Sequence, residues 1–293
     1  MDRVARVRSF NRTVTQRIGA LEAEFLGRDR SLGASRVLFE VGPEGVEVRR
    51  LRARLDLDAG YASRLLRGLE AEGLIRTGRA ADDARVRFVR LTPKGRRELA
   101  VLNRRSDDAA ASLLDRLADA QQAELASAMQ TVERLLLAGA VRLDVVDPCS
   151  PAARFCLQRY FAELAGRFEG GFDPTRSIPA DADELTRPHG FFVLATLNGE
   201  PVGCGALKCF PDRGEVKRMW VSPSCRRLGI GRRILERLER LARERRLPRL
   251  RLETNRALAE AQSLYRKSGY HEVPRFNDEP YAHHWFEKAL PAV

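Results

Sequence analysis

The stretch Arg226-Arg227-Leu228-Gly229-Ile230-Gly231 decides how this chain is read. It follows a run of strand character, Glu215-Val216-Lys217-Arg218-Met219-Trp220-Val221, and leads into a run of helical character, Arg232 to Glu244. A strand, a glycine-bearing turn and a helix start, in that order, build an anion site. The first amides of a helix have no partner inside it, and the helix dipole favours negative charge beside them. Glycine at the turn lets the backbone approach a phosphate closely. The spacing differs from the six-position dinucleotide fingerprint, and the Lys-Ser/Thr ending of a P-loop is missing.

The surrounding elements read as a mixed sheet with helices on both faces. Val141 to Val146 has strand character, and Asp147-Pro148-Cys149-Ser150-Pro151 is a loop that caps a helix from about Ala152 to Phe168. Gly170-Gly171 breaks that helix. Phe191 to Thr196 and Pro201 to Lys208 flank Asn198-Gly199, a strong hairpin turn signal. Leu250 to Thr254 reads as a strand, Ala257 to Ser268 as a helix, and Tyr270 to Val273 and Ala282 to Lys288 as the last strands.

Arg226-x-x-Gly229-x-Gly231 resembles the Arg/Gln-x-x-Gly-x-Gly/Ala motif of the GNAT acyl-CoA acetyltransferases. Ala261-x-x-Leu264-Tyr265-x-Lys267-x-Gly269-Tyr270 resembles their second signature. The resemblance covers residues 140–293 and implies an α/β GNAT fold with a mixed, splayed central sheet, acetyl-CoA as cofactor and an amine acceptor, small molecule or protein lysine. It implies that the amides and cations of Arg226, Arg227, Leu228, Gly229, Ile230, Gly231 and Arg232 hold the pyrophosphate. It implies that the pantetheine arm pairs with a bulged, splayed strand at Met219, Trp220 and Val221, beside Ala261, and that an amide near Val221 polarises the thioester carbonyl. Tyr265 inherits the role of proton donor to the departing thiolate, and Asn255 that of partner to the pantetheine amides. Many members carry Asn where this chain has Leu258. For the general base, Glu215 stands at a strand start where some members keep a catalytic Glu; Glu253, His283 and His284 are further candidates. Adjacent residues on a strand face opposite ways, so one of the two histidines at most points into a cleft. Arg167, Phe168, Phe172 and Asp173 are expected to line the acceptor pocket.

The first half has a different rhythm. Val7, Phe10, Val14, Ile18, Leu21 and Phe25 recur at helical spacing over residues 6–27. Helices follow near Ala34 to Val41, across Val48, Leu51 and Leu55, and across Tyr61, Leu65, Leu66 and Leu69, the last ended by Gly73. The period then changes: Leu74-Ile75-Arg76 and Arg87 to Leu91 read as two strands around a polar hairpin tip, Arg79 to Arg85. This is the order of a winged helix-turn-helix. The second helix of such a pair fits the major groove, and its open face carries Tyr61, Ser63, Arg64 and Arg67. Asp83-Ala84-Arg85, Leu91-Thr92 and Gly95 resemble the wing of MarR-family regulators, which implies that Asp83 orients Arg85 toward the minor groove. Many members have a second Arg where this chain has Ala84. Arg76, Arg79 and Arg85 are the expected salt-sensitive contacts to a double-stranded operator. Winged helices also bind proteins, and that reading stays open here.

Thr92-Pro93 starts a helix to about Leu117, and another runs from about Ala120 to Ala138. In MarR proteins such flanking helices interlock two chains, so the resemblance implies a homodimer. The expected division is residues 1–139, a mainly α MarR-like DNA-binding and dimerisation domain, and residues 140–293, the acetyltransferase domain. The expected function is a bifunctional regulator and N-acetyltransferase. The alternative is a regulator whose second domain senses acyl-CoA or a metabolite without catalysis.

Composition sets the outer bounds. The chain has 293 residues and a net charge of +12. Residues 1–140 hold 26 basic and 20 acidic side chains and so do residues 141–293, so bulk charge singles out neither half for nucleic acid. The five cysteines form no C-x-x-C pair, which argues against a disulfide framework or zinc site and fits a reducing cytoplasm. No run approaches the ~20 apolar residues of a membrane span, so no membrane partner is expected.

Overall fold

The computed structural model describes residues 2–21, 24–79 and 86–291. The chain divides into two compact units, Met1–Thr131 and Val132–Val293.

The first unit runs α1 (Arg3–Arg17), α2 (Leu32–Val41), β1 (Val46–Glu47), α3 (Val48–Leu55), α4 (Ala59–Ala71), β2 (Ile75–Arg79), β3 (Arg87–Leu91) and α5 (Pro93–Leu114). A further helix, α6 (Asp119–Ala140), contains the division point. Side-chain caps set the starts. Asp58 accepts from the Tyr61 amide at 2.9 Å ahead of α4, and Thr92 accepts from the Gly95 amide at 3.0 Å with Pro93 at the first position of α5. Gly73, at φ 69°, follows the end of α4 in the left-handed region. Helical periodicity predicts one first helix as far as residue 27, but α1 stops at Arg17, because Gly19 turns the chain at φ 67°. The short β1 was not legible: two residues, Val46 and Glu47, pair with Val89 and Phe88 to give the sheet order β1-β3-β2. Val37, Leu38, Leu51, Leu66, Leu69 and Leu102 form the core under the helix pair. In contrast, α1 and α6 bury no residue, and Val4, Val7, Phe10, Met129, Leu135 and Leu136 are exposed.

The second unit runs β4 (Arg142–Val146), α7 (Pro151–Arg167), β5 (Gly190–Leu197), β6 (Glu200–Cys209), β7 (Gly214–Val221), α8 (Ile230–Glu244), β8 (Arg249–Thr254), α9 (Ala259–Lys267), β9 (His271–Val273) and β10 (His284–Ala289). The sheet order is β4-β5-β6-β7-β8-β10-β9, antiparallel except for the β7–β8 pair. Alternation on β5 divides the interior. Phe191, Val193 and Ala195 join α8 on one face, while Phe192 and Leu194 join α7 on the other. Ile230, Ile234, Leu238, Leu241 and Ala242 give α8 one buried stripe. The predicted hairpin turn forms with Asn198 at φ 51° and Gly199 at φ 78°. Among the described residues no helix is long and apolar enough to cross a membrane.

Candidate functional sites

The sheet of the second unit opens where the first signature begins. Strands β7 and β8 pair only at Gly214↔Leu250 and Glu215↔Arg251, and then part. The same strand carries a bulge. Cys204 faces Trp220 and Ala206 faces Lys217, so Gly205 alone stands against Arg218 and Met219. Arg218 takes φ 55° to make it. Gly205 is required by this crowding, since a Cβ there would lie 2.6 Å from Met219 Sδ and 2.6 Å from Ile234 Cγ2. Bulge and splay leave a cleft of about 510 Å³ between the end of β7 and helix α9.

The glycine-bearing turn closes one end of that cleft. Arg227 (φ 67°) and Gly229 (φ 74°) turn the chain into α8, whose first intrahelical bond runs from the Arg233 amide to the Gly229 carbonyl at 3.1 Å. The amides of Ile230, Gly231 and Arg232 therefore have no acceptor within the helix, and all three residues line the cleft. A Cβ on Gly231 would lie 3.5 Å from Leu264 Cδ2 and 3.7 Å from Val221 Cγ2, in the space between the two sides of the fork. Unpaired amides at the mouth of a largely apolar cleft fit an acyl carrier with a diphosphate. Tyr265 stands at the other end, only 5% exposed, with Phe286 and Tyr270 ring centroids at 5.9 and 6.1 Å. Burial, with Tyr160 and Glu253 nearby, pushes its phenol far above the usual range, so it holds its proton.

Two family models match this chain: the acetyltransferase (GNAT) family over residues 157–270 and the MarR family over residues 27–86. An IAA acetyltransferase from Azospirillum brasilense is 45% identical over 111 residues, which cover 37% of this chain and 72% of that protein. The chain belongs to the GNAT acetyltransferase family. An uncharacterised N-acetyltransferase from Bacillus subtilis is 35% identical over 109 residues, covering 36% of this chain and 72% of its own length. A GNAT-family acetyltransferase structure from Staphylococcus aureus aligns with 51% of this chain and all of its own, at 18% identity and a TM-score of 0.41. The second unit is thus a GNAT N-acetyltransferase, with acetyl-CoA as the acyl donor, on the same chain as a MarR-family segment.

Within the GNAT unit, Met219, Trp220, Val221, Arg226, Arg227, Gly229, Ile230, Gly231, Arg232, Ala261 and Tyr265 line the one cleft. Leu228 instead packs against the core. Asn255 lines the neighbouring cavity, and its amide is engaged within the chain: Nδ2 donates to the Tyr281 carbonyl at 2.7 Å and Oδ1 accepts from the Ala257 amide at 2.8 Å. The expected pantetheine partner therefore ties the turn after β8 to the segment before β10. Arg226 also differs from expectation. Its guanidinium lies 2.6 Å from the Glu163 carboxylate, and Arg232 pairs with Glu236 at 2.9 Å. Among the described residues Arg227 has no carboxylate partner, which leaves it as the turn's uncommitted cation.

Glu163 is the residue that motif reading missed. It also accepts from Trp220 Nε1 at 3.0 Å and from Arg167 at 3.1 Å, so it joins α7 to both the bulged strand and the turn. A buried indole N–H needs an acceptor, which was the available signal. Burial alone would raise the Glu163 pKa, but hydrogen bonds from Arg226 and Arg167 outweigh it and leave the group below its usual value. Its folded pKa is depressed, so its contribution to stability is present above the unfolded value of about 4.3 and is lost as pH falls through the lower folded value. Acid titration of Trp220 emission, in a Trp285→Phe background, is expected to show a midpoint below 4.3.

A second, smaller cavity of about 90 Å³ adjoins the cleft and shares Tyr160, Leu164, Met219, Leu258, Ala261 and Tyr265 with it. Of the four residues expected around an acceptor, Phe168 and Phe172 line this smaller cavity, whereas Arg167 lines the larger cleft and Asp173 holds the turn to Thr175 at 2.7 Å. Glu215 lines neither. It is buried, bonded to Arg213 at 3.1 Å, and 3.5 Å from Lys217 Nζ, which in turn contacts Glu253. Glu253 does line the smaller cavity. His283 and His284 line neither space, and His284 Nδ1 lies 2.6 Å from Glu272.

In the MarR-family segment, Ser63, Arg64 and Arg67 form an exposed face of α4, while Tyr61 is half-buried with Arg64 stacked at 5.5 Å. Arg76 and Arg79 on β2 are exposed. Asp83 and Arg85, the expected wing pair, lie outside the described residues.

Proposed function

We propose that the chain is a bifunctional transcriptional regulator and acetyl-CoA-dependent N-acetyltransferase, with residues 1–139 binding an operator and residues 140–293 acetylating an amine. The observation that carries the enzymatic half is the convergence on one cleft of the splayed, bulged β7, the glycine turn into α8 and the buried Tyr265. The acyl donor supplies the activated thioester, so the chain has to bind, orient and move protons. Amides at residues 229–232 and the Arg227 cation bind the diphosphate end. Met219, Trp220 and Val221 present strand edge to the pantetheine end, and the amide near Val221 polarises the carbonyl that is attacked. Tyr265, fully protonated, donates to the leaving sulfur. The acceptor's proton passes to a carboxylate of the buried Glu215–Lys217–Glu253 cluster; Glu253 faces the cavity, and Glu215 stands one residue deeper. Thiol release from acetyl-CoA across an amine panel tests this reading. A protein that binds acetyl-CoA and turns over no amine would favour the alternative of a non-catalytic sensor.

For the regulatory half, Ser63, Arg64, Arg67, Arg76 and Arg79 supply polar and cationic contacts on an exposed face, with Tyr61, Asp83 and Arg85 completing the expected set. The unburied apolar residues of α1 and α6 favour a homodimer through those helices, which suits two half-sites of a palindrome. Arg67→Ala is expected to weaken operator binding and to reduce the slope of log affinity against log salt by about 1, read by fluorescence anisotropy on a short palindrome. An unchanged slope would remove Arg67 from the interface.

A further inference from the structure

The acceptor cavity has an unusual charge account. It is lined by two cations, Lys217 and Arg218, and two carboxylates, Glu253 and Glu279. Lys217 and Glu253 neutralise each other. Glu279 is 7% exposed and satisfied by neutral donors: Ser177 Oγ at 2.8 Å, the Ile178 amide at 2.8 Å and the Tyr281 amide at 3.3 Å. Arg218 has no carboxylate partner among the described residues. Its guanidinium lies over the Phe161 ring at 4.9 Å and toward Tyr160 at 5.9 Å, half-buried. A planar cation held on an aromatic face carries several N–H donors in a fork, and one bond from Arg218 to the Tyr160 hydroxyl leaves others to meet a carboxylate. Its backbone is also costly. A long side chain at φ 55° sits in a region that favours glycine, and such strain persists where the surroundings require it. The structural demand for a bulge would be met at lower cost by Gly or Asn, so the arginine itself needs a reason.

We infer that the acceptor is a small α-amino carboxylate with an apolar or aromatic side chain, its carboxylate received by Arg218. The residual charges of the cavity, one positive and one negative, match an acceptor that arrives with one carboxylate and one ammonium. The tilted pair Phe172–Tyr281, with centroids 4.7 Å apart, gives the side chain an aromatic wall. This inference rests on the acetyltransferase reading of the same site.

The test uses the full chain with acetyl-CoA and four acceptors: phenylalanine, its carboxamide, phenethylamine and spermidine. Phenylalanine is expected to exceed the amide and the decarboxylated amine by roughly 100-fold in kcat/KM, mostly through KM, because a cation left without its anion in a partly dry site penalises the neutral analogues. Arg218→Asn, which tolerates the left-handed backbone, is expected to lower kcat/KM for phenylalanine far more than for phenethylamine and so erase that preference; Arg218→Gly serves as a second variant that removes the side chain without adding strain. Equal use of acid and amide, preference for spermidine, or a uniform loss on all acceptors in both variants would overturn the inference. Calorimetric binding of acetyl-CoA separates the two levels. A protein that binds acetyl-CoA and rejects phenylalanine defeats the acceptor assignment alone, and one that binds none defeats the acetyltransferase reading beneath it.

Discussion

Tyr265→Phe is expected to lower kcat by about 100-fold or more while leaving acetyl-CoA affinity and thermal stability nearly unchanged. The substitution removes one oxygen. Its ring remains packed between Phe286 and Tyr270, so the fold keeps its contacts. What is lost is a proton that burial holds on the phenol at all physiological pH values. A leaving thiolate must be protonated, and a positioned acid contributes typically 10²–10⁴-fold to such a step. The readout is steady-state thiol release, with calorimetry on the same preparations. A drop in kcat with unchanged binding separates proton donation from a packing role, because a packing defect would also weaken binding and lower Tm. An unchanged kcat would remove Tyr265 from the chemistry.

Gly95→Ala is expected to destabilise the first unit by about 3 kcal/mol or more. A Cβ there would lie 1.9 Å from the Leu74 carbonyl oxygen and 2.9 Å from its carbonyl carbon. Both atoms are backbone, and that carbonyl already accepts from the Thr92 amide at 3.0 Å. Neither side can swing away as a side chain would. The start of α5 would have to lift from the end of α4, taking the Thr92 cap and the Leu102 contact with the core. Urea unfolding followed by circular dichroism should show an early transition for this unit, with acetyl-CoA binding by the second unit retained. A single transition at the wild-type midpoint would contradict the close approach.

Much of the fold was legible in the sequence because its signals are local. Asp58, Thr92 and Ser150 each cap the helix they precede, and Asn198-Gly199 makes its hairpin. The α1 boundary failed for the opposite reason: apolar spacing continued past Gly19, and periodicity does not register a left-handed turn until the backbone is seen. In the active-site cleft, residues of the two signatures came together because the fork is set by short-range features, a bulge and a glycine turn. Glu163, Glu279 and Tyr281 were not found. They come from segments distant in sequence and reach the site only through tertiary packing. Asn255 and Arg226 were found, but their hydrogen bonds could not be. A side chain's partner depends on what else is buried near it, and the carboxylate that holds Arg226 lies 63 residues away. Arg218 carried no motif signal at all, since its meaning lies in a backbone angle and in the absence of a counter-charge.

On this reading the fork between β7 and β8, closed by the turn at Gly229 and Gly231, is built to hold an acyl-CoA. Isothermal titration of the folded full-length protein with acetyl-CoA measures it most directly. Saturable binding of one molecule per chain is expected, with a Kd of roughly 1 μM to 1 mM. Binding is expected to weaken in Gly231→Val, whose branched carbons extend beyond a Cβ already 3.5 Å from Leu264 Cδ2 and 3.7 Å from Val221 Cγ2. Absence of any saturable heat from well-folded protein, with acetyl-CoA and coenzyme A alike, would contradict it.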